Sequence, residues 1–116
     1  MPRDSLDLLK GTLDVLVLKT LSWGPMHGYG VSRWIRQRTS GELEVEDAAL
    51  YQALHRLEQR GWLEAEWGRS ENNRRAKFYA LTERGEEHLR DQTRAVRRYV
   101  KALTRVLDTR GVGAAS

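Results

Sequence analysis

The sequence predicts a mainly α-helical chain with one small β-hairpin. Three observations carry that prediction. Stretches with helical apolar spacing, each closed by a glycine (Gly24, Gly41, Gly61), fill the chain up to Gly61. Two short alternating stretches, "WLEAEW" and "KFYALT", then flank a basic turn. Last, the run from Glu83 to Asp108 repeats apolar residues at intervals of three and four.

The first helix is predicted from Ser5, a suitable N-cap, to Leu21, ended by Gly24-Pro25. Its apolar residues include Leu6, Leu8, Leu9, Leu13, Val15, Leu16, Val17 and Leu18. From Leu13 to Leu21 they cover nearly the whole circumference. Such a helix needs cover on two sides, and in so small a chain another subunit can supply part of it. The second helix is predicted from about Met26 to Arg38, with Val31 and Ile35 as inward i,i+4 partners. "TSG" closes it and "ELEV" follows as an extended link. The third runs from about Asp47 to Arg60, with Leu50, Leu54 and Leu57 as its buried stripe and Gly61 at its end. Asp47 serves there as N-cap or first-turn acid. In the hairpin, Leu63, Ala65 and Trp67 share one face, and Lys77, Tyr79 and Leu81 alternate with Phe78 and Ala80. Thr82 caps the final helix, and residues 109–116 read as a small flexible tail.

Composition bounds the function. The chain has 116 residues, 40% of them hydrophobic and 31% charged, which suits one soluble domain. A net charge of +4 and a pI near 9.8 favour an anionic partner without identifying it. The absence of Cys excludes disulfides, thiolate catalysis and Cys-ligated zinc. The start is not expected to be a signal peptide, because Asp4 and Asp7 interrupt it. The longest apolar run, "VLVL", is far short of the roughly 20 residues of a membrane span. A cytoplasmic protein without membrane contact is expected.

Three helices followed by a hairpin is the winged helix-turn-helix order. A basic hairpin tip then has a physical reason, since a wing lies beside a phosphate backbone. Asn73, Arg74, Arg75 and Lys77 would supply its contacts. Taken alone, such a turn is equally well a solvated hairpin end. The third helix adds weight. Opposite its leucines stand Tyr51, Gln52, His55 and Gln59, with Arg56 at the margin. These side-chain types reach base edges and phosphates from the major groove. An ordinary polar helix face is the plain alternative, but "YQALHR" contains no acid.

The segments "LLKGTLDVLVLKTLSWGPMHGYGV", "ALYQALHRLEQRGWLEAEWG" and "ENNRRAKFYALTERG" closely resemble the PadR family of bacterial transcriptional regulators. The family's pattern stands here at Leu13–Leu16, Gly24–Tyr29, Ala49–Gly61, Asn73–Tyr79 and Leu81–Gly85. The resemblance spans about Leu8 to Leu89, and the single C-terminal helix looks like the smaller subfamily. It implies a homodimeric regulator of double-stranded DNA, usually a repressor, with Tyr51, His55 and Arg56 reading from the helix and Arg74, Arg75 and Lys77 from the wing. Ala49 departs from the family's Thr or Ser and lacks a hydroxyl for phosphate. Asn72-Asn73 stands where Gly often occurs. The resemblance also implies a small aromatic effector at the subunit interface. The last helix directs Val96 and Tyr99 there, but no Trp.

The predicted division is a winged helix-turn-helix DNA-binding domain over 5–82, a dimerisation helix over 83–108 and a tail over 109–116. The dimer follows from the pattern itself. A 25-residue helix is about 37 Å long, more than a three-helix core covers. Yet Leu89, Val96, Tyr99, Val100, Leu103, Val106 and Leu107 make a sustained stripe along it. Pairing with the partner's last helix and first helix, around Leu16, answers both this stripe and the over-apolar first helix. No enzyme and no cofactor are expected. His27, His55 and His88 fall on separate elements, and His27 in "PMHGYG" reads as a turn histidine bonded to backbone. "GYG" is an incomplete dinucleotide fingerprint with no preceding strand. Trp23, Trp62 and Trp67 read as core or core edge, while Trp34 is left open between stacking on DNA sugar or a ligand and lying flat on the protein surface. The competing function is a winged-helix protein–protein module whose basic wing meets an acidic partner.

Overall fold

Buried leucines at helical spacing organise the chain. The computed structural model describes residues 11–111. Helix α1 (Thr12–Leu21) turns Val17, Leu18 and Leu21 inward. Helix α2 (Gly28–Arg38) adds Val31 and Ile35, and α3 (Asp47–Gln59) adds Leu50, Ala53, Leu54 and Leu57. Leu63, Tyr79 and Leu89 complete this core. Full burial of one such aliphatic side chain stabilises by about 1.5–3 kcal/mol, so the cluster fixes how the three helices cross. Leu13, Val15 and Leu16 of α1 are only half-buried against it, as expected of a helix with too little cover. The positions read as the first turns of that helix, Ser5, Leu6, Leu8 and Leu9, lie outside the described residues, as does the tail from 112 on.

Strands β1 (Met26–His27), β2 (Leu63–Arg69) and β3 (Arg75–Leu81) form an antiparallel sheet in the order β1-β3-β2. This corrects one expectation. The spacing starts the second helix at Met26, but Met26 and His27 pair with Tyr79 and Phe78. Pro25 has no N–H to give, and Gly24 brings the chain in with φ 142°. A two-residue strand made by a partner far along the chain leaves no local pattern. The helix begins at Gly28 instead, capped by His27, whose Nδ1 accepts the Gly30 N–H at 3.0 Å. His27 is thus bonded to backbone. At the start of α3 the cap position is Glu46, and Asp47 is a first-turn acid.

The hairpin registers Leu63 with Leu81 and Arg69 with Arg75. Its turn closes when the Ser70 N–H donates to the Arg74 carbonyl and the Asn73 N–H to the Ser70 carbonyl, each at 2.8 Å. Asn73, not Asn72, takes the left-handed backbone at φ 59°, a conformation asparagine tolerates better than most residues. The strands outrun the helices. Leu63 is buried and Ala65 half-buried, but Trp67 is 57% exposed, with the Arg75 guanidinium 4.5 Å above its ring. Trp23 is likewise exposed, on the turn after α1. Both depart from the expected core edge, and each ring instead carries a cation, Lys19 at 5.3 Å from Trp23 and Arg75 at 4.5 Å from Trp67. Trp62 is half-buried and stacks on His88 at 3.5 Å between ring centroids. Trp34 is half-buried against the core.

Thr82 joins the hairpin to α4 (Glu83–Leu107). Its N–H donates to the Trp62 carbonyl at 3.1 Å and its Oγ1 donates to the Gly61 carbonyl at 2.7 Å, while that Oγ1 accepts the Gly85 N–H at 3.0 Å. Gly85 sits so close to the Trp62 carbonyl that any side chain would collide with it. After this joint α4 runs along the body as far as Val96 and then leaves it. Leu89, placed by spacing in the pairing stripe, belongs to the chain's own core. From Arg97 onward every described residue is exposed, including Tyr99, Val100, Leu103, Val106 and Leu107. The radius of gyration is 17.1 Å, against about 13 Å for a compact chain of this length. The projecting helix accounts for the difference.

Candidate nucleic-acid interface

The leucine stripe of α3 decides what its other face presents. With Leu50, Leu54 and Leu57 inward, Tyr51, Gln52, His55 and Gln59 stand exposed. Tyr51 is steadied by its neighbour. Its phenol lies so close to Gly28 that a Cβ there would fall within 2.9 Å of the hydroxyl oxygen and two ring carbons. The glycine in "HGY" therefore lets the Tyr51 side chain lie directly against the start of α2.

Two of the cations singled out by sequence are engaged within the chain. The Arg56 guanidinium donates to the Asp14 carboxylate on α1. The Lys77 ammonium lies 3.3 Å from a Glu58 carboxylate oxygen on α3. That hydrogen bond is the first cause of a Lys77 pKa raised above the ordinary value, with the Tyr79 hydroxyl adding to it. Burial raises the Tyr79 hydroxyl in turn. Asn73, Arg74 and Arg75 stand exposed at the tip of the hairpin. The structure thus separates the named residues into an exposed helix face (Tyr51, Gln52, His55), an exposed tip (Asn73, Arg74, Arg75) and two cations that brace α3 against α1 and the wing (Arg56, Lys77).

Between them lies a cleft of about 740 Å³. Its walls include Tyr29 and Arg33 of α2, Tyr51 of α3, and Trp67, Glu71 and Arg75 of the wing. Arg33 rests 5.4 Å over the Tyr29 ring and 3.7 Å from Glu71 across the cleft. Tyr29 and Arg33 are not among the residues the sequence singled out. Their i,i+4 spacing, offset from Val31 and Ile35, is the signal that could have found them, since it places both on the outward face of α2. This surface offers hydrogen-bond donors, cations and aromatic rings. Among the described residues, no group of three or more His, Asp or Glu side chains could hold a metal ion, and no helix is long and apolar enough to cross a membrane.

Comparison with known proteins follows the same outline. The sequence model of the transcriptional regulator PadR-like family matches residues 17–91. A solved transcriptional regulator from Clostridium thermocellum is 26% identical, with a TM-score of 0.75 over 83% of this chain and 93% of that one. A solved PadR family transcriptional regulator from Eggerthella lenta is 28% identical, with a TM-score of 0.73 over 87% of this chain and 86% of that one. An uncharacterised protein of Lysinibacillus sphaericus is 30% identical over 83 residues, 72% of this chain and 76% of that protein. The match of family model to α1, the helix pair, the wing and the first turns of α4 leaves one assignment: this chain belongs to the PadR-like family of transcriptional regulators.

Proposed function

We propose that the chain is a sequence-specific DNA-binding regulator, a repressor that acts as a homodimer on a palindromic operator. The observation that carries this reading is the pairing of an exposed polar face on α3, Tyr51, Gln52 and His55, with an exposed wing tip of Asn73, Arg74 and Arg75. The helix is the size the major groove admits, and the tip's arginines suit phosphate or a narrow minor groove. Residues 11–82 form the reading head. The uncovered stripe of α4 supports the dimer, since Tyr99, Val100, Leu103, Val106 and Leu107 stand exposed along it. A second copy would cover them, together with the half-buried side of α1 around Leu16. Two-fold symmetry would then set two recognition helices about 34 Å apart, one DNA turn. Occupancy of such a site near a promoter is enough to repress. A small aromatic effector would enter the same seam near Val96 and Tyr99.

The test is to pass sheared genomic DNA of the source organism over the immobilised full chain and sequence what it retains. Recovery of a few fragments sharing an inverted repeat supports the reading. Uniform retention, or none at low salt, removes it, and the second outcome favours a module that binds an acidic protein.

A further inference from the structure

Glu71 is an acid in a place that otherwise collects cations. It sits at the wing tip between Ser70 and Asn72, in a turn whose neighbours are Arg69, Arg74 and Arg75. It faces across the cleft to Arg33, with a carboxylate oxygen 3.7 Å from the guanidinium. Arg33 is held for this by Tyr29, whose ring lies beneath it at 5.4 Å. The two residues stand together at the boundary of the large cleft and of a smaller cavity of about 240 Å³ behind it, next to Trp34 and Phe78. Both side chains are substantially exposed, so the pair is weak and exchanges readily with other ions.

A carboxylate and a phosphodiester present the same chemistry to arginine, two anionic oxygens matched to the guanidinium fork. We propose that Arg33 is a phosphate-binding residue of the cleft and that Glu71 is its internal competitor, occupying the place of the phosphate when DNA is absent. This rests on the DNA-binding reading. A DNA strand entering between α2 and the wing displaces Glu71 from Arg33, and the wing tip is released as the strand seats. Every duplex must break the pair, so the cost is the same for all sequences and leaves the difference between them unchanged. Glu71 therefore lowers affinity for DNA in general.

The experiment is a double-mutant cycle on the full chain, with Glu71→Gln, Arg33→Ala and both together. Fluorescence anisotropy reads binding to a short labelled duplex of mixed sequence at several salt concentrations. Thermal melts confirm folding, which exposed positions tolerate. Arg33→Ala should weaken binding and lower the slope of log K against log salt by about 0.9. Glu71→Gln should tighten binding by about two- to five-fold. In the Arg33→Ala background the same change should have almost no effect. An equal gain in both backgrounds would mean that Glu71 acts only as a general negative charge, and the proposal would fall. So it would if Glu71→Gln bound no tighter. If the unaltered chain does not bind the duplex even at low salt, the DNA-binding reading itself fails and takes this proposal with it.

Discussion

Gly85→Ala should be among the most damaging single-methyl changes in the protein, and Gly30→Ala among the most harmless. Each glycine is the third residue of its helix, and each N–H donates to the side chain of the capping residue, Thr82 or His27. The surroundings differ. A Cβ on Gly30 meets His27 at 3.5 Å, an ordinary approach. On Gly85 it would lie 2.1 Å from the Trp62 carbonyl oxygen and 2.8 Å from Leu81 Cδ1. Carbon and oxygen rest about 3.3 Å apart at their closest, so α4 must retreat by roughly 1 Å. The Trp62 carbonyl is backbone and accepts the Thr82 N–H, so it cannot swing aside. Overpacking costs about 1–3 kcal/mol and the strained hydrogen bond about 1 kcal/mol more. Alanine's better helix propensity returns about 0.5 kcal/mol. The net loss is about 1.5–3.5 kcal/mol, a large fraction of the roughly 5–15 kcal/mol that holds a domain of this kind together. Urea unfolding at one fixed protein concentration measures it, and Tm should drop by about 10 °C. Gly30→Ala should move stability by less than about 0.5 kcal/mol or raise it. Equal effects from the two swaps would refute the close approach at the joint.

Replacing Arg74 and Arg75 together by Ala should weaken binding to all duplexes alike and reduce the salt slope by about 0.9 for each phosphate no longer neutralised; an unchanged slope removes the wing from the interface. Leu103→Asp, in the part of α4 that the chain leaves exposed, should convert a dimer to a folded monomer by light scattering with the helical circular dichroism of the body retained, and a dimer that survives it is built elsewhere. Lys77 and Tyr79 both hold their protons more tightly than their ordinary values of 10.5 and 10.0 provide. Their contribution to stability is therefore intact below about pH 10 and lost as pH rises through the raised folded values. Glu58→Gln should flatten the Lys77 part of that decline in urea midpoints, and an identical alkaline profile would show that the ion pair carries no stability.

Much of this was legible because it is local. Leu50, Leu54 and Leu57 announce both the core and, by opposition, the exposed face of Tyr51, Gln52 and His55. "LTERG" announces the cap at Thr82, whereas the close approach at Gly85 emerges only from the fold. What escaped is non-local. Met26 and His27 become a strand only because β3 lies beside them. Arg56 and Lys77 share the composition of DNA-binding positions, but their partners Asp14 and Glu58 come from elsewhere in the fold. Leu89 fits the spacing of the pairing stripe, yet α4 is still against the body at that point. Trp23 and Trp67 read as core edge by sequence, yet both rings stand exposed beneath cations, Lys19 and Arg75. Tyr29 and Arg33 face a cleft whose far wall is the wing.

The central claim is that recognition comes from the exposed face of α3. It is tested most directly by equilibrium competition between a retained genomic fragment and mixed-sequence duplex, for the unaltered chain, Gln52→Ala and His55→Ala. At least one of these substitutions should cost about 1–3 kcal/mol of discrimination while leaving affinity for the mixed-sequence duplex and the melting temperature unchanged. Full discrimination in both variants would contradict the account and move recognition away from this helix.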